Sequence, residues 1–365
     1  MRNAAKMLVL TLLAVALVLT GCGNRGGSSS GGSGDLPDNV PDQIREKWPI
    51  KIMVIRKIGG DDHTAQYLAG AKEEGEKMGF TVDTYSANGD SAKFHDAIQQ
   101  AMNQDYDGII ISHGDDEATI DEVRQIVDKG IPVVTFDSIE GIKDIPGVTM
   151  TAQDDFALAQ LALDQLVKDT GGNAKIVYLW VDGFPPMVRR NQIYQQVLQQ
   201  NPGIQEIDRF GVAAADTPVQ TQNAVAAMLT KYPTGQIDAI FATWDAFAIG
   251  ATRAVNEAGR QEVKIYGIDV SNADLQAMQE ENSPWVATAA VDPKMIGAVN
   301  VRLLAKKIAG EETPATYDLE ANLITQEDLK KSSEPVNMVT LANIIPGWGQ
   351  TDAFEEEWMK ALKNR

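Results

Sequence analysis

The stretch that decides the fold is DGIIIS, at residues 107–112. Its apolar run is nearly continuous, which is typical of a strand in a parallel sheet that is covered on both faces. The next residues, ATIDEVRQIVDKG (118–130), have apolar positions at helical spacing, and IPVVTFD (131–137) follows as a second apolar strand. This strand–helix–strand order predicts an α/β sheet with helices on both sides.

The same alternation extends in both directions along the chain. Toward the start, two more strand–helix pairs are predicted: IKIMVI (50–55) with residues 64–80, and TVDTYSA (81–87) with residues 91–104. Toward the end, five further strands alternate with helices: AKIVYLWV (174–181), IQEIDRFGV (204–212), DAIFAT (238–243), VKIYGID (263–269) and WVATAAV (285–291). The number of elements predicts two α/β lobes of similar size.

The start of the chain has the pattern of a secretory signal. A basic segment precedes an apolar run at residues 7–19, which is shorter than the ~20 residues of a membrane span. The run ends near Cys22, the only cysteine, and resembles the lipobox of bacterial lipoproteins. This implies that residues 1–21 are removed and that Cys22 carries a lipid. The alternative is an ordinary signal peptide or signal anchor. A Gly/Ser-rich stretch follows, so we expect a flexible tether over residues 22–48.

Charge and composition exclude some classes of function. The 365 residues carry a formal net charge of −19, and the predicted leader contains two basic residues and no acidic one. Such acidity argues against a nucleic-acid partner, because that binding depends on neutralising phosphates. The hydrophobic fraction of 44% is ordinary for a globular protein. The chain beyond the tether is long enough for two domains.

Six stretches together carry a resemblance to a known family: DGIIIS (107–112), GIPVVTFDS (130–138), FPPMVRRNQIY (184–194), DAIFATWDAFAIGATRAV (238–255), VKIYGIDVS (263–271) and TAAVDPKMIG (288–297). Their residues and order resemble the periplasmic binding proteins of the ribose and galactose type. The resemblance implies two doubly wound parallel-sheet lobes joined by a three-strand hinge, the type I periplasmic binding protein fold. It also implies a ligand between the lobes, at the carboxyl ends of the strands.

The resemblance also implies where the lobes begin and end. We expect the first lobe to comprise residues 49–152 and 292–326, and the second lobe to comprise residues 153–291. Residues 327–365 exceed the family's usual length. Their last part, TDAFEEEWMKALKNR, predicts a terminal amphipathic helix. We expect this helix to pack against one lobe, and a helix that docks a partner is the alternative.

Aspartates at strand ends are the first candidates for ligand contact. Asp137 and Asp269 match hydroxyl-binding aspartates of the family, and carboxylates accept hydrogen bonds from sugar hydroxyls. The other interpretation is that an aspartate after a strand caps the next helix, which we favour for Asp245. Arg190 matches the family's cleft arginine, whose planar donors suit a ring oxygen or a pair of hydroxyls. A surface ion pair is its alternative, and the neighbouring Arg189 is expected to be solvated.

The expected pocket departs from that of ribose binders. The first loop, KIGGDDHTAQYLAG (57–70), lacks the paired phenylalanines that sandwich a sugar ring. Trp244 replaces an asparagine and could stack on the apolar face of a sugar. The histidines are expected to be near neutral, and each is as readily incidental as a ligand donor. The remaining candidate ligand-binding residues are Asp61, His63, Thr64, Ser112, His113, Ser138, Phe184 and Asp216.

The charge balance of the candidate set bears on the ligand. Four carboxylates, those of Asp61, Asp137, Asp216 and Asp269, stand against one arginine, Arg190. This disfavours an anionic ligand and favours a neutral sugar, polyol or cyclitol. A nucleoside or an amino-bearing ligand is the alternative. We expect Asp137→Ala and Arg190→Ala each to abolish binding without unfolding the protein.

The resemblance implies an extracytoplasmic, lipid-anchored monomer that delivers its ligand to an ABC permease. The alternative is a sensor that reports ligand to a chemoreceptor, a kinase or a quorum pathway. We expect no metal, no cofactor and no enzyme activity, because the sequence has no Walker loop, nucleophile elbow, His-Glu-x-x-His or paired cysteines. A sugar-responsive repressor shares this fold, but a signal peptide stands where its helix-turn-helix would be.

Overall fold

The computed structural model describes residues 36–365, so the signal segment, Cys22 and the Gly/Ser tract lie outside the described residues. The strands are β1 (Lys51–Arg56), β2 (Thr81–Ser86), β3 (Gly108–Ser112), β4 (Val133–Phe136), β5 (Thr149–Gln153), β6 (Ala174–Leu179), β7 (Ile204–Phe210), β8 (Ala239–Ala242), β9 (Lys264–Ile268), β10 (Trp285–Ala290), β11 (Thr316–Leu319) and β12 (Asn322–Thr325).

The strands form two sheets with corresponding order. The first sheet runs β11-β5-β4-β3-β1-β2 and the second runs β12-β10-β9-β8-β6-β7. Among the described strands, every pair is parallel except β10 with β12. The predicted architecture of two doubly wound parallel-sheet lobes is therefore confirmed. Strand β3, from the stretch DGIIIS, is fully buried near the centre of the first sheet, as its continuous apolar run requires.

Helices connect the strands and cover both sheets. They are α1 (Asp42–Lys47), α2 (Asp62–Lys77), α3 (Ser91–Ala101), α4 (Glu117–Asp128), α5 (Asp155–Thr170), α6 (Pro185–Gln200), α7 (Thr217–Lys231), α8 (Asp245–Glu257), α9 (Asn272–Gln279), α10 (Pro293–Ile308), α11 (Gln326–Leu329) and α12 (Glu357–Lys363). Two 3₁₀ turns lie at Glu140–Asp144 and Thr340–Asn343. None of the helices within residues 36–365 has the length and hydropathy needed to span a bilayer.

The chain passes between the sheets at three places. It leaves the first sheet after β5, returns to it between β10 and α10, and leaves it again between β11 and β12. We call the first sheet with α2, α3, α4 and α10 the first lobe, and the second sheet with α5–α9 the second lobe. The expected boundary at residue 326 is wrong by one strand, because β12 pairs antiparallel with β10 of the second sheet.

The segment that precedes β1 is structured, contrary to the tether expected up to residue 48. Helix α1 buries Ile44, and Leu36 and Val40 also enter the core. Leu36 and Val40 lie in the turn that leads into α1, so the turn and the helix bury apolar side chains together. The Gly/Ser composition that predicted a tether ends before them, so residues 36–48 belong to the folded protein.

The C-terminal extension contacts both lobes, and its terminal helix packs against the first. Leu341 and Trp348 are buried in the core of the second lobe. Beyond them the chain crosses to the first lobe, where the carbonyl oxygens of Thr351 and Ala353 accept hydrogen bonds from Arg302 of α10. Helix α12 then buries Trp358, whose indole Nε1 donates to Glu311 at 2.8 Å. The extension is therefore a further connection between the lobes.

Two glycines allow α2 and α10 to pack closely in the first lobe. A Cβ atom at Gly70 would lie 2.1 Å from the carbonyl oxygen of Lys294, and one at Gly297 would lie 2.3 Å from that of Tyr67. Both obstacles are backbone atoms of the opposite helix, which cannot move aside as a side chain would. The close packing holds α2 in place, and the beginning of α2 carries residues of the pocket described next.

Candidate ligand-binding site

A pocket lies between the lobes, at the carboxyl ends of the strands of both sheets. From the first lobe it is lined by Arg56, Ile58, Asp61, His63, His113, Asp137 and Gln153. From the second lobe it is lined by Val181, Phe184, Pro186, Met187, Arg190, Ala213, Trp244 and Asp269. This is the position where open parallel sheets place their ligands, because the loops and helix starts converge there.

Eight of the residues predicted from the sequence line this pocket: Asp61, His63, His113, Asp137, Phe184, Arg190, Trp244 and Asp269. Asp216 does not, and its prediction is wrong. Its side chain is exposed at the start of α7 and accepts a hydrogen bond from Gln220 at 2.7 Å. Residue 216 lies beyond the end of β7, where the chain has already turned outward to begin the helix.

Three predicted residues, Thr64, Ser112 and Ser138, are buried behind the pocket rather than in its lining. Thr64 accepts a hydrogen bond from Nε of Arg56 at 3.0 Å, and Ser112 accepts one from Nη1 at 3.1 Å. The Ser138 hydroxyl donates to the carbonyl oxygen of Phe136 at 3.3 Å. Thr64 and Ser112 orient a lining arginine, and Ser138 satisfies the backbone beside Asp137.

Sequence reasoning missed Arg56, which lies at the end of β1. Its guanidinium is buried, lies 4.8 Å from the centroid of the Tyr67 ring, and has the neutral partners Thr64 and Ser112. Burial lowers its pKa, while the Asp61 carboxylate opposes that effect. A guanidinium with neutral partners keeps donor capacity for a ligand. The available signal was a charged residue that directly follows the apolar run IMVI (52–55).

Both pocket histidines are neutral. Nδ1 of His63 lies 3.4 Å from Nη2 of Arg56, and Nδ1 of His113 lies 2.8 Å from the Ser112 hydroxyl. Burial is the main cause that lowers the pKa of each imidazole, and Arg56 adds to the effect. An arginine beside Nδ1 favours the tautomer of His63 in which the proton is on Nε2. His63 therefore presents an N–H donor to the pocket.

A chain of alternating charges runs from the pocket lining into the protein behind it. Asp155 accepts from Nε of Arg190 at 2.7 Å and from Nε of Arg189 at 2.9 Å. Arg190 also lies 3.2 Å from Asp269, and Arg189 lies 3.2 Å from Asp137. Arg189 is thus largely buried in an ion-pair network, and the expectation that it is solvated is wrong. Since Arg56 is also present, three arginines balance the carboxylates instead of the single one counted in the sequence.

Burial and the Asp155 carboxylate raise the pKa of Asp137 to about 7, against the opposing effect of the arginines.

Asp245, for which capping was favoured, is the first residue of α8 and accepts a hydrogen bond from the backbone N–H of Ala246 at 2.7 Å. It lies outside the pocket lining, and burial raises its pKa well above the usual range.

Three buried polar atoms at the pocket have no hydrogen-bond partner within residues 36–365: Nε2 of His63, Oδ2 of Asp137 and Oε1 of Gln153. Buried polar atoms are normally paired, so unpaired ones at a pocket mark groups that are available to a ligand. Asp137 and Gln153 offer acceptors and His63 offers a donor. Hydroxyl groups, which both donate and accept, satisfy this combination.

The two walls of the pocket differ in chemistry. The first lobe supplies mainly charged and polar groups, whereas the second lobe supplies six apolar or aromatic side chains: Val181, Phe184, Pro186, Met187, Ala213 and Trp244. Of these, sequence reasoning found Phe184 and Trp244. Pro186 and Met187 lie in the quoted stretch FPPMVRRNQIY, but Ala213 carries no chemical signal. In the described part of the chain, no group of three His, Cys, Asp or Glu side chains could hold a metal ion.

Comparison with known proteins agrees with this geometry. A family model for the periplasmic binding protein domain matches residues 52–312. The chain belongs to this family. A sugar ABC transporter protein from Yersinia enterocolitica, whose structure is known, is 53% identical in sequence to this binding protein. The two structures superpose with a TM-score of 0.85, over 89% of this chain and 98% of the other.

Two further relatives are named for a sugar ligand or have a structure that contains one. A solute-binding protein from Thermotoga lettingae, solved with 5-methylthioribose, is 34% identical with a TM-score of 0.81, over 86% of this binding protein and 98% of that chain. The ribose import binding protein RbsB of Escherichia coli is 26% identical over 263 residues, which is 71% of this chain and 84% of the relative.

Proposed function

We propose that this binding protein captures a sugar between its lobes and delivers it to an ABC permease. The observation that carries the proposal is the set of unpartnered buried atoms on His63, Asp137 and Gln153, which matches the donors and acceptors of adjacent hydroxyls. The relatives named for ribose and 5-methylthioribose support the same class of ligand.

Within that class, we propose a pentose that carries an apolar substituent. A plain pentose has hydroxyls around most of its ring, and it would leave the apolar wall formed by Val181, Phe184 and Met187 in contact with polar groups. A sugar with a thioether arm places hydroxyls against the first lobe and the arm against this wall. The 34% identical relative, whose structure contains 5-methylthioribose, supports this choice.

Calorimetry of the purified protein with 5-methylthioribose and with ribose tests both proposals, because the two sugars differ at one substituent. Burial of the methylthio group is expected to improve the dissociation constant by about tenfold or more, at ~0.8 kcal/mol for each buried CH₂-sized group. Phe184→Ala is expected to reduce this preference while ribose affinity changes less. Equal affinity for both sugars would contradict the apolar arm, and binding of neither would contradict sugar capture.

We propose that the protein acts outside the cytoplasm as a monomer, held to the membrane by a lipid on Cys22. The support is the leader pattern and the tether composition of the sequence. Detergent phase partition of the protein from cells tests this proposal. The wild-type protein is expected in the detergent phase and a Cys22→Ala variant in the aqueous phase. Partition of both into the same phase would contradict the anchor.

A further inference from the structure

Arg189 joins the two lobes beside the pocket. It belongs to α6 of the second lobe, and its Nη2 lies 3.2 Å from Oδ1 of Asp137, at the end of β4 in the first lobe. Its Nη1 lies 3.6 Å from Glu140, also in the first lobe. The guanidinium is anchored on its own side by Asp155, with Nη2 2.7 Å from Oδ2. Two of these three contacts join residues of different lobes.

The two oxygens of Asp137 have different surroundings. Oδ1 is paired with Arg189, whereas Oδ2 has no partner in the described part of the chain and lies 3.9 Å from Nε2 of His113. Asp137 lines the pocket, but Arg189 does not. Asp137 therefore has one oxygen paired with the opposite lobe and one oxygen available at the pocket.

Burial increases the energetic importance of the ion pair between Asp137 and Arg189. The Asp137 side chain is fully buried and that of Arg189 is 11% exposed. A buried carboxylate is costly unless a charge partner compensates for the lost water. In this structure water is excluded from Asp137, and Arg189 of the second lobe is that partner. Lobe separation removes the partner and returns water to the carboxylate.

We propose that Arg189 is a positioning residue that stabilises the closed state through Asp137, and so determines how long the ligand stays bound. It acts on ligand retention without touching the ligand, whereas its neighbour Arg190 faces the pocket. The proposal rests on the proposed sugar-binding role of this pocket. It predicts that loss of Arg189 speeds ligand dissociation much more than it slows association.

The test compares Arg189→Ala, Arg189→Lys and the control Arg124→Ala. The control removes an exposed arginine that, among residues 36–365, forms an ion pair only with Asp121 on its own helix. Stopped-flow fluorescence with 5-methylthioribose and with ribose can follow closure, because Trp244 lines the pocket. Arg189→Ala is expected to raise the dissociation rate by about 30-fold or more, as truncation of one partner of a buried charge pair does. Arg189→Lys is expected to raise the dissociation rate less than Arg189→Ala does, and the control Arg124→Ala is expected to leave it unchanged.

A pH series separates this role from a merely structural one. Asp137 faces Arg189 and Arg190 on α6, Asp155 on α5, Arg56 on β1 and His113 after β3. Without Arg189, Asp137 protonates more readily, so the affinity of Arg189→Ala should decline more steeply than that of the wild type from about pH 8 to about pH 6. Unchanged dissociation rates and parallel pH profiles would overturn the proposal.

Small-angle scattering of the protein without sugar makes the test independent of the ligand. Arg189→Ala is expected to increase the radius of gyration relative to the wild type and to Arg124→Ala. If neither sugar binds but the radius increases, the sugar proposal fails and the role of Arg189 in closure stands. If sugar binds but neither the radius nor the dissociation rate changes, the role of Arg189 fails alone.

Discussion

Asp137 and Asp269 occupy equivalent places in the two lobes. Asp137 directly follows β4 and Asp269 directly follows β9, which stand third in the spatial order of their sheets. Each residue has a left-handed backbone, with φ of 47° and 75°. Each backbone N–H donates at 2.9 Å to the neighbouring strand, that of Asp137 to Thr151 and that of Asp269 to Ala289. Non-glycine residues in this region of backbone space are uncommon and concentrate at functional sites. The fold therefore aims two carboxylates into the pocket from opposite sides.

Asp137→Asn is expected to weaken sugar binding by about ten- to a hundredfold, because hydrogen bonds to a charged group contribute about 1.5–3 kcal/mol. Asparagine keeps the shape and tolerates the left-handed backbone, so the melting temperature should change little. Calorimetry with 5-methylthioribose gives the affinity, and Asp121→Asn on the exposed face of α4 is the control. Wild-type affinity in Asp137→Asn would show that the negative charge of this carboxylate does not contribute to sugar binding.

Arg190→Ala is expected to abolish binding and also to destabilise the fold by about 3–5 kcal/mol, since it leaves buried charges without a partner. The sequence alone suggested loss of binding without loss of stability. In the structure Arg190 is 2% exposed and holds Asp155, Asp269 and the carbonyl oxygen of Thr243. Urea unfolding followed by circular dichroism checks this prediction. A free energy of unfolding equal to that of Arg124→Ala would contradict it.

Asp274→Asn is expected to stabilise the protein above neutral pH by about 1–2 kcal/mol. Burial is the main cause that raises the pKa of Asp274 from 3.8 to about 7, and Oδ2 has no partner within the described residues. An acid with a raised pKa in the folded state binds its proton more tightly there than in the unfolded state. Its contribution to stability is therefore lost as the pH rises from about 4 through about 7.

Melting temperatures between about pH 4 and pH 8 check this sign. The wild type should lose stability across the range, and Asp274→Asn should lose less. Some pH dependence should remain, because the pKa of Asp137 is also raised to about 7. Identical slopes for the wild type and the variant would show that Asp274 does not titrate in this range.

Trp358→Ala is expected to lower the free energy of unfolding by about 3–5 kcal/mol, as loss of a large buried aromatic side chain does. Trp358 is 5% exposed and belongs to the C-terminal extension, beyond residue 312 where the match to the family model ends. Glu357→Ala, at a side chain that is 82% exposed, is the matched control. Denaturant unfolding of both variants checks the prediction, and equal stability would mean that α12 is dispensable.

The sequence by itself determined the order of strands and helices. Apolar runs such as GIIIS are buried on both faces of a sheet wherever they pack, so periodicity alone indicates parallel α/β lobes. Carboxyl ends of parallel strands meet at one edge, but a position after a strand is also where helices are capped. It is the match of Asp137 and Asp269 to ligand-binding aspartates of the resembled family that predicts them at the pocket. Asp216 was misplaced because the same residue type also begins helices, and local sequence does not separate the two roles.

Tertiary structure alone decided how charges are paired. Arg189 and Arg190 are adjacent in sequence, yet one reaches across to the first lobe and the other faces the pocket. Arg56 has the sequence position of a solvated residue at a strand end, but in the structure the Tyr67 ring packs against its guanidinium. The C-terminal extension likewise contacts both lobes, although its helix by itself shows only one apolar face. Such contacts join residues far apart in the chain, and their geometry depends on how the two lobes meet, which no local pattern encodes.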